Sequence, residues 1–222
     1  VFGIQNLKPR PVEIAQIIEV KTNPGMTTTV NLPDGSVVHL NSESKLSYPS
    51  FFDKDKRRVT LQGEAFFEVQ KDPEHGFVIS TPHETKIEVL GTSFNVEAFE
   101  KDDFVSTTLI EGKVRFDYMK NRQSTAVLMK PGQKLTYDSS SSRIQLIETN
   151  GESEIAWKDG KVVFHATPLP EALRMLEKRF NVTFVLSNER LRSEAFTGSF
   201  SHQRLERILE IFKISSNIKW RY

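Results

Sequence analysis

The stretch LQGEAFFEV, residues 61–69, carries the alternation that decides the fold of the larger part of this 222-residue chain. In an extended strand successive side chains point to opposite faces. One face of this strand would be apolar and consists of Leu61, Gly63, Ala65, Phe67 and Val69. The other face would be mixed and consists of Gln62, Glu64, Phe66 and Glu68. The stretch therefore predicts a strand with a core side and an outer side.

Two carboxylates, Glu64 and Glu68, lie four residues apart in this stretch and raise the question of a catalytic acid/base pair. In a strand they are two pleats apart, roughly 13 Å, which exceeds the carboxylate separation of either class of glycosidase. They cannot form such a pair with each other, although either could face another acid across the sheet. We expect both to anchor neighbouring strands through Arg57, Arg58 or backbone donors.

Short runs of the same kind recur from about residue 26 to 148, at intervals of roughly ten residues. They are rich in Val, Ile, Thr and Phe, as in TTTVNL, VVHLN, RVTLQ, KIEVL, SFNVEAF, STTLI, KVRFDY and RIQLI. This spacing predicts a mainly β domain over residues 26–150, either an antiparallel sandwich or a twisted solenoid of many short strands. Residues 1–25 would form an N-terminal linker and an entry strand.

Turn-forming residues separate the predicted strands. They include Asp34, Gly35, Gly63, Gly91, Gly112 and Gly132. Asp34 and Gly35 suit a tight hairpin turn, and the later glycines suit bulges or sharp corners where a side chain would be in the way. We expect these residues, together with Glu64, to specify the fold.

From about residue 156 the pattern changes to alternating strands and helices. Predicted strands are KVVFH (161–165), VTFVL (182–186), AFTGSF (195–200) and NIKWRY (217–222). Two amphipathic helices lie between them, the first with Thr167 as N-cap, Pro168 as first helical residue and Asn181 as stop signal. Residues 156–222 therefore predict a small α+β domain with βαβ-βαβ order and both helices on one face.

The composition excludes several classes of function. The chain has no cysteine, so it has no disulfide, zinc thiolate site or cysteine nucleophile. Its five histidines are scattered, and no GxSxG, P-loop or GxGxxG pattern occurs. No run approaches the roughly 18 apolar residues of a membrane helix. We therefore predict no enzyme activity, no cofactor, no metal site and no small-molecule substrate.

Charge is distributed unevenly along the chain. Residues 156–222 contain 12 Lys+Arg and 7 Asp+Glu, a net charge of +5, whereas the residues before them contain 18 and 22, a net charge of −4. The basic part could prefer an acidic partner or simply present a solvated surface. Its aromatic residues alternate with small and polar ones, which favours a core over a stacking platform for bases. We predict no nucleic-acid binding.

Several long motifs, read together, resemble the FecR family of anti-sigma regulators. They are LPDGSVVHLNSESKLSYP (32–49), VTLQGEAFFEV (59–69), FVISTPHETKIEVLGTSFNVEAF (77–99), TTLIEGKVRF (107–116) and LMKPGQKL (128–135). The last third resembles the C-terminal module that these regulators carry in Bacteroidetes-type bacteria. That module is similar to the small N-terminal signalling domain of secretins and TonB-dependent transporters.

The resemblance implies a single-pass inner-membrane regulator with a cytoplasmic anti-sigma segment and a large periplasmic sensor. This chain, which begins without Met, would be the periplasmic sensor alone. Its implied partners are the N-terminal signalling domain of a TonB-dependent outer-membrane transporter and, through the cytoplasmic segment, an ECF-type sigma factor. The alternatives are a glycan-binding or glycan-hydrolysing β-sandwich and a structural assembly module.

An exposed edge of the C-terminal sheet could accept a strand from such a partner through main-chain hydrogen bonds. KVVFH and NIKWRY are the predicted edges, with Val162, Phe164, Trp220 and Tyr222 as candidate contacts. Alternatively, these side chains pack beneath the two helices.

Overall fold

A computed structural model describes residues 14–120, 122–216 and 218–221 of the protein. Within these residues thirteen strands precede residue 150. They are β1 (Ile17–Lys21), β2 (Thr28–Asn31), β3 (Val37–Leu40), β4 (Lys45–Pro49), β5 (Lys56–Glu68), β6 (Gly76–Thr81), β7 (Thr85–Val89), β8 (Ser93–Ala98), β9 (Phe104–Glu111), β10 (Val114–Lys120), β11 (Gln123–Met129), β12 (Gln133–Asp138) and β13 (Arg143–Glu148).

All thirteen strands belong to one curled sheet in which the 13-residue strand β5 is shared by two layers. The first part of β5 pairs with β4 and β6, and the first layer has the order β1-β4-β5-β6-β7-β10-β11. The second part pairs with β3 and β8, and the second layer has the order β2-β3-β5-β8-β9-β12-β13. Among the described strands, β5 and β6 are the only parallel pair.

The two layers face each other across a single apolar core. Tyr118 of the first layer and Tyr137 of the second have ring centroids 5.1 Å apart, and the Tyr137 hydroxyl donates to the Met119 carbonyl at 3.1 Å. Phe67, on the predicted core side of LQGEAFFEV, is fully buried near Phe77 of the first layer. The prediction of a mainly β fold is confirmed, and the layers lie as in a sandwich.

β5 runs without interruption through Gly63, where the sequence predicts a turn or bulge. Gly63 has φ +109°, and a Cβ atom there would lie 2.6 Å from the Ser44 Cα. The Ser44 hydroxyl accepts a hydrogen bond from the Glu64 N–H at 2.9 Å and donates one to the Ser42 carbonyl at 2.9 Å. A residue without a side chain thus lets β5 pass from one layer to the other against the 42–44 turn.

The LPDGS turn holds a buried arginine. Asp34 accepts from both the N–H and the hydroxyl of Ser36, and the turn joins β2 to β3 through Gly35 at φ +85°. The Arg57 guanidinium donates to Asp34 Oδ2 at 2.7 Å and to two carbonyls, those of Gln70 and His75, at 2.8 Å each.

The prediction that Arg57 or Arg58 binds the glutamates of LQGEAFFEV is wrong for Arg57, since its polar contacts are those of the LPDGS turn and the 70–75 loop. Seven residues of extended chain place Arg57 roughly 23 Å from Glu64. Arg58 is exposed, and no contact joins it to Glu64 or Glu68 within the described part of the chain.

The remaining predicted turn glycines lie at strand connections. Gly112 connects β9 to β10 at φ +93°, and Gly132 connects β11 to β12 at φ +81°. Gly91 lies between β7 and β8 at φ +151°, where a Cβ atom would be 2.6 Å from the Lys71 Cα.

A smaller α+β part follows, and this class was predicted. It comprises α1 (Glu152–Ile155), a 3₁₀ turn (Ala156–Asp159), β14 (Val162–Pro168), α2 (Leu169–Phe180), a second 3₁₀ turn (Glu189–Ser193), β15 (Ala195–Phe200) and α3 (Leu205–Ser216). β14 and β15 pair antiparallel, and α2 and α3 contribute to a second apolar core. None of the described helices is long and apolar enough to span a membrane.

The predicted βαβ-βαβ order is not confirmed. Residues 182–186 form no strand, although their alternation is real, because Val182, Phe184 and Leu186 pack on the second core while Val185 is 89% exposed. Residues 218–221 likewise form no strand. A period of two therefore reports that one side of an extended segment is buried, and it does not require a hydrogen-bonded neighbour.

The ends of α2 differ slightly from the prediction. Pro168 occupies the N-cap and the helix begins at Leu169, while Thr167 stays in β14, where its hydroxyl accepts from the His165 N–H at 2.9 Å. Asn181 ends the helix in the left-handed conformation, as expected for a stop signal.

Candidate functional site

Helix α2 contacts the outer face of the second layer through a buried ion cluster. The Lys178 ammonium donates to Glu64 Oε2 at 2.8 Å and to Glu97 Oε1 at 2.7 Å. The three side chains are only 16%, 7% and 12% exposed, respectively. The outer side of LQGEAFFEV is therefore covered at Glu64 and exposed at Glu68, where β5 ends.

Local geometry creates this cluster from both sides. Glu64 of β5 and Glu97 of β8 are directly opposite in the strand register, so their side chains share a face. Arg174 and Lys178 are four residues apart on α2 and share a helix face. Arg174 Nη1 lies 3.3 Å from Glu97 Oε1 and 3.6 Å from Asp102 Oδ2.

Aromatic rings and amides complete the surroundings of the charges. The Lys178 ammonium lies 5.0 Å from the Phe99 ring centroid, and the Arg174 guanidinium lies 4.7 Å from that of Phe104. Glu64 also accepts from Asn41 Nδ2 at 2.9 Å and from Asn95 Nδ2 at 3.0 Å. Through these bonds Glu64 links β5 to β8, to the residue after β3 and to α2.

The ion pairs set the protonation of the cluster. Burial alone would raise the pKa of Glu97, but the charges of Lys178 and Arg174 outweigh it, and the pKa lies below its ordinary value. Burial alone would lower the pKa of Lys178, but Glu64 and Glu97 outweigh it, and that pKa is raised. Both groups stay charged at neutral pH, so Glu97 has no proton to donate as a general acid.

A second ion cluster lies nearby. Lys134 of β12 has its ammonium 3.2 Å from Glu154 Oε1 and 3.5 Å from Glu171 Oε1. The pKa of Lys134 is raised because these carboxylates outweigh the effect of its burial. Lys134 thus ties the sandwich to both α1 and α2.

A cavity of about 1000 Å³ separates the sandwich from the C-terminal part beside these clusters. Its polar lining includes Glu64, Asn95, Glu97, Lys134, Trp157, His165, Arg174 and Lys178. Asn95 Oδ1 and Trp157 Nε1 are buried and have no hydrogen-bond partner among the described residues. The sandwich and the C-terminal part therefore contact each other through charged side chains at the edge of this cavity.

The residues predicted to contact a partner differ in their exposure to solvent. Val162 and Phe164 are 3% and 1% exposed and lie in the second core, so their side chains are not available to a partner. Trp220 is 37% exposed, and Tyr222 lies outside the described residues. Within the described chain, β14 and β15 pair only with each other, which leaves one edge of each strand without a strand neighbour.

No group of three His, Asp or Glu side chains in the described ranges could hold a metal ion. His39, His75, His83, His165 and His202 lie on separate segments. His75 and His83, the two closest in sequence, bond to different groups, Asp72 and the Asp102 carbonyl.

The chain matches two family profiles in sequence. The first, "FecR protein", matches residues 18–115, and the second, "FecR, C-terminal", matches residues 161–222. The chain belongs to the FecR family of anti-sigma regulators. No curated protein sequence matches it.

Two crystal structures of a proposed anti-sigma factor from Parabacteroides distasonis ATCC 8503 are similar to this FecR-family chain. One has a TM-score of 0.83 and 30% sequence identity, over 92% of this chain and 94% of that one. The other has a TM-score of 0.82 and 29% identity, over 93% and 95% of the two chains. The similarity spans the sandwich and the C-terminal part together.

Sequence reasoning did not find the residues that join the two parts of this FecR-family protein. Arg174 and Lys178 look like ordinary cations on the polar face of a helix, and Glu97 looks like an outward strand residue. Their only signal was the opposite net charge of the two parts, which is too coarse to name a residue.

Proposed function

We propose that this chain is the periplasmic sensor part of a single-pass inner-membrane anti-sigma regulator. It relays a signal from a TonB-dependent outer-membrane transporter to an ECF-type sigma factor, which it reaches through a cytoplasmic segment outside this chain. Membership of the FecR family supports the regulatory role. The observation that carries the transporter contact is the C-terminal two-stranded sheet, whose strands each have an edge without a described neighbour.

The binding mode that such an edge supports is strand addition, in which a strand of the partner extends the sheet. A partner strand would pair through backbone groups, and His165 and Ala166 are the exposed residues of β14 next to the buried Val162 and Phe164. The segment 161–165, which overlaps β14, remains a candidate edge, and 217–222 remains a candidate docking segment although its described residues 218–221 form no strand. Residues 182–186 become a third, because this extended segment has a buried side, the exposed Val185 and no ladder partner in the described chain.

A regulator also accounts better for the acidic strands than a glycosidase does. Glu64 and Glu97 are neighbours across the sheet, as two catalytic carboxylates would be, but Lys178 bonds to both. The lowered pKa of Glu97 is the opposite of what a general acid needs. A glycan screen comparing the parent with Glu64→Gln tests this alternative, since an enzyme would show turnover that the variant loses.

The transporter contact is tested by ¹⁵N NMR of the full chain titrated with the signalling domain encoded beside it. We expect amide shifts confined to one of the three candidate edges. Val185→Pro removes an N–H at an exposed side chain and Val185→Thr keeps it, so loss of binding in the proline variant alone assigns the edge to 182–186. Absence of shifts in all three segments would contradict the proposed docking mode.

A further inference from the structure

The contact between α2 and the sandwich has the composition of a separable interface. The two apolar cores have no residue in common, and neither extends across the contact. In the described part of the chain, the side-chain hydrogen bonds and ion pairs between α2 and the sandwich come from Arg174, Lys178 and Glu171, the last of which bonds to Lys134. Relative motion is the normal expectation for two parts of a chain unless their contact is large and hydrophobic, and the bonds of this contact are polar.

The energetics of buried ion pairs point the same way. Attraction within the Lys178 cluster is largely offset by the cost of removing its charges from water, so separating the two sides as intact ions has a small net cost. Removing one charge is different, since it leaves its partners buried without compensation. Such a contact is stable only while each buried charge has an oppositely charged partner.

Other groups at the same boundary favour separation. Asn95 Oδ1 and Trp157 Nε1, on opposite sides of the cavity boundary, are buried without a partner among the described residues, and opening would hydrate both. The connecting segment has a left-handed glycine at each end, Gly151 at φ +74° and Gly160 at φ +67°. A Cβ atom at Gly160 would meet nothing within 4 Å, whereas one at Gly151 would contact the Ile110 side chain of β9, so the Gly160 end is the less closely packed of the two.

We propose that the Lys178 cluster is a latch between two positions of the C-terminal part. In the closed position, the one described above, α2 covers the acidic face of the second layer. In the open position Glu64, Glu97 and Asp102 face water, and both apolar cores stay folded. The latch is a property of the chain by itself, so its test needs no partner and does not depend on the transporter contact.

The absence of cysteine makes the test direct. Lys54→Cys on the sandwich and Lys213→Cys on α3 are both at exposed positions and provide a single pair of sites for fluorescent labels in the full chain. Energy transfer between the labels then measures the closed and open fractions. Near-ultraviolet circular dichroism and ¹H–¹⁵N spectra report whether each core remains folded.

Lys178→Met should increase the ratio of open to closed molecules at least about tenfold, because Glu64 is left buried without a cation and Glu97 keeps only Arg174. Adding Glu64→Gln and Glu97→Gln to Lys178→Met should return most of the closed fraction, since no unmatched carboxylate remains. Lys219→Met, at an exposed position of the same part, is the matched control and should leave the ratio unchanged.

Three results would overturn the latch. One is an unchanged label distance in Lys178→Met. Another is a triple variant that stays as open as the single variant, which would mean that Lys178 acts by packing rather than by charge. The third is loss of the folded spectrum of either core in Lys178→Met and also in the milder variant Arg174→Met, because the two parts would then not be separable units.

Discussion

Replacing Gly63 with alanine tests how β5 passes between the two layers. The added Cβ would clash with the Ser44 Oγ and lie 2.6 Å from the Ser44 Cα, so backbone as well as side chain would have to shift. The φ of +109° adds strain of about 1–3 kcal/mol for a residue with a side chain. Overpacking adds about 1–3 kcal/mol. Displacing the two Ser44 hydrogen bonds adds about 0.5–1.5 kcal/mol each.

The sum predicts that Gly63→Ala lowers the free energy of unfolding by about 3–9 kcal/mol, a large part of the stability of an ordinary domain. Urea denaturation followed by fluorescence measures it. Gly35→Ala is the matched control, since Gly35 also has positive φ but has nothing within 4 Å of the added Cβ, and we expect a loss of about 1 kcal/mol. Equal losses of stability in the two variants would refute the steric argument, and backbone strain would then be the only cause.

The other predictions concern separate parts of the chain. Gly91→Val should lower the melting temperature, because its Cβ would meet the Lys71 backbone at 2.6 Å, and an unchanged melting temperature would count against the close approach. Arg57→Met should cost about 3–5 kcal/mol by leaving Asp34 and two carbonyls unpaired. The exposed Arg58→Met should stay within about 0.5 kcal/mol in the same denaturation experiment, and equal effects would contradict the assignment. Because the pKa of Glu97 is lowered in the folded protein, its stabilisation is complete above pH 4.5 and lost as the pH falls through the folded pKa. Denaturation midpoints from pH 7 to 3 should therefore fall less steeply in Glu97→Gln than in the parent.

Local pattern predicted the strands well because each has a buried side within its own layer. In LQGEAFFEV the predicted core residues Leu61, Ala65 and Phe67 are all fully buried. The predicted outer side was only partly correct, since Glu64 and Phe66 are 5% and 3% exposed. What covers Glu64 is Lys178, 114 residues away, and no local period reports a contact of that range.

The failure at 182–186 has a different physical origin. A strand prediction rests on alternation and β propensity, and VTFVL has both. Burial of Val182, Phe184 and Leu186 on the helices satisfies the alternation without a hydrogen-bonded neighbour. Whether an extended segment acquires a neighbour depends on what else is close to it, which the segment itself does not encode.

The path of β5 has a consequence for how this protein unfolds. Since β5 is an interior strand of both layers, the third of seven in each, loss of β5 from one layer disrupts the other layer as well. The sandwich should consequently behave as a single cooperative unit in hydrogen exchange, with the amides of Val59 and Phe67 opening at one common rate. Mechanical force applied to either layer would act on the same thirteen residues of β5.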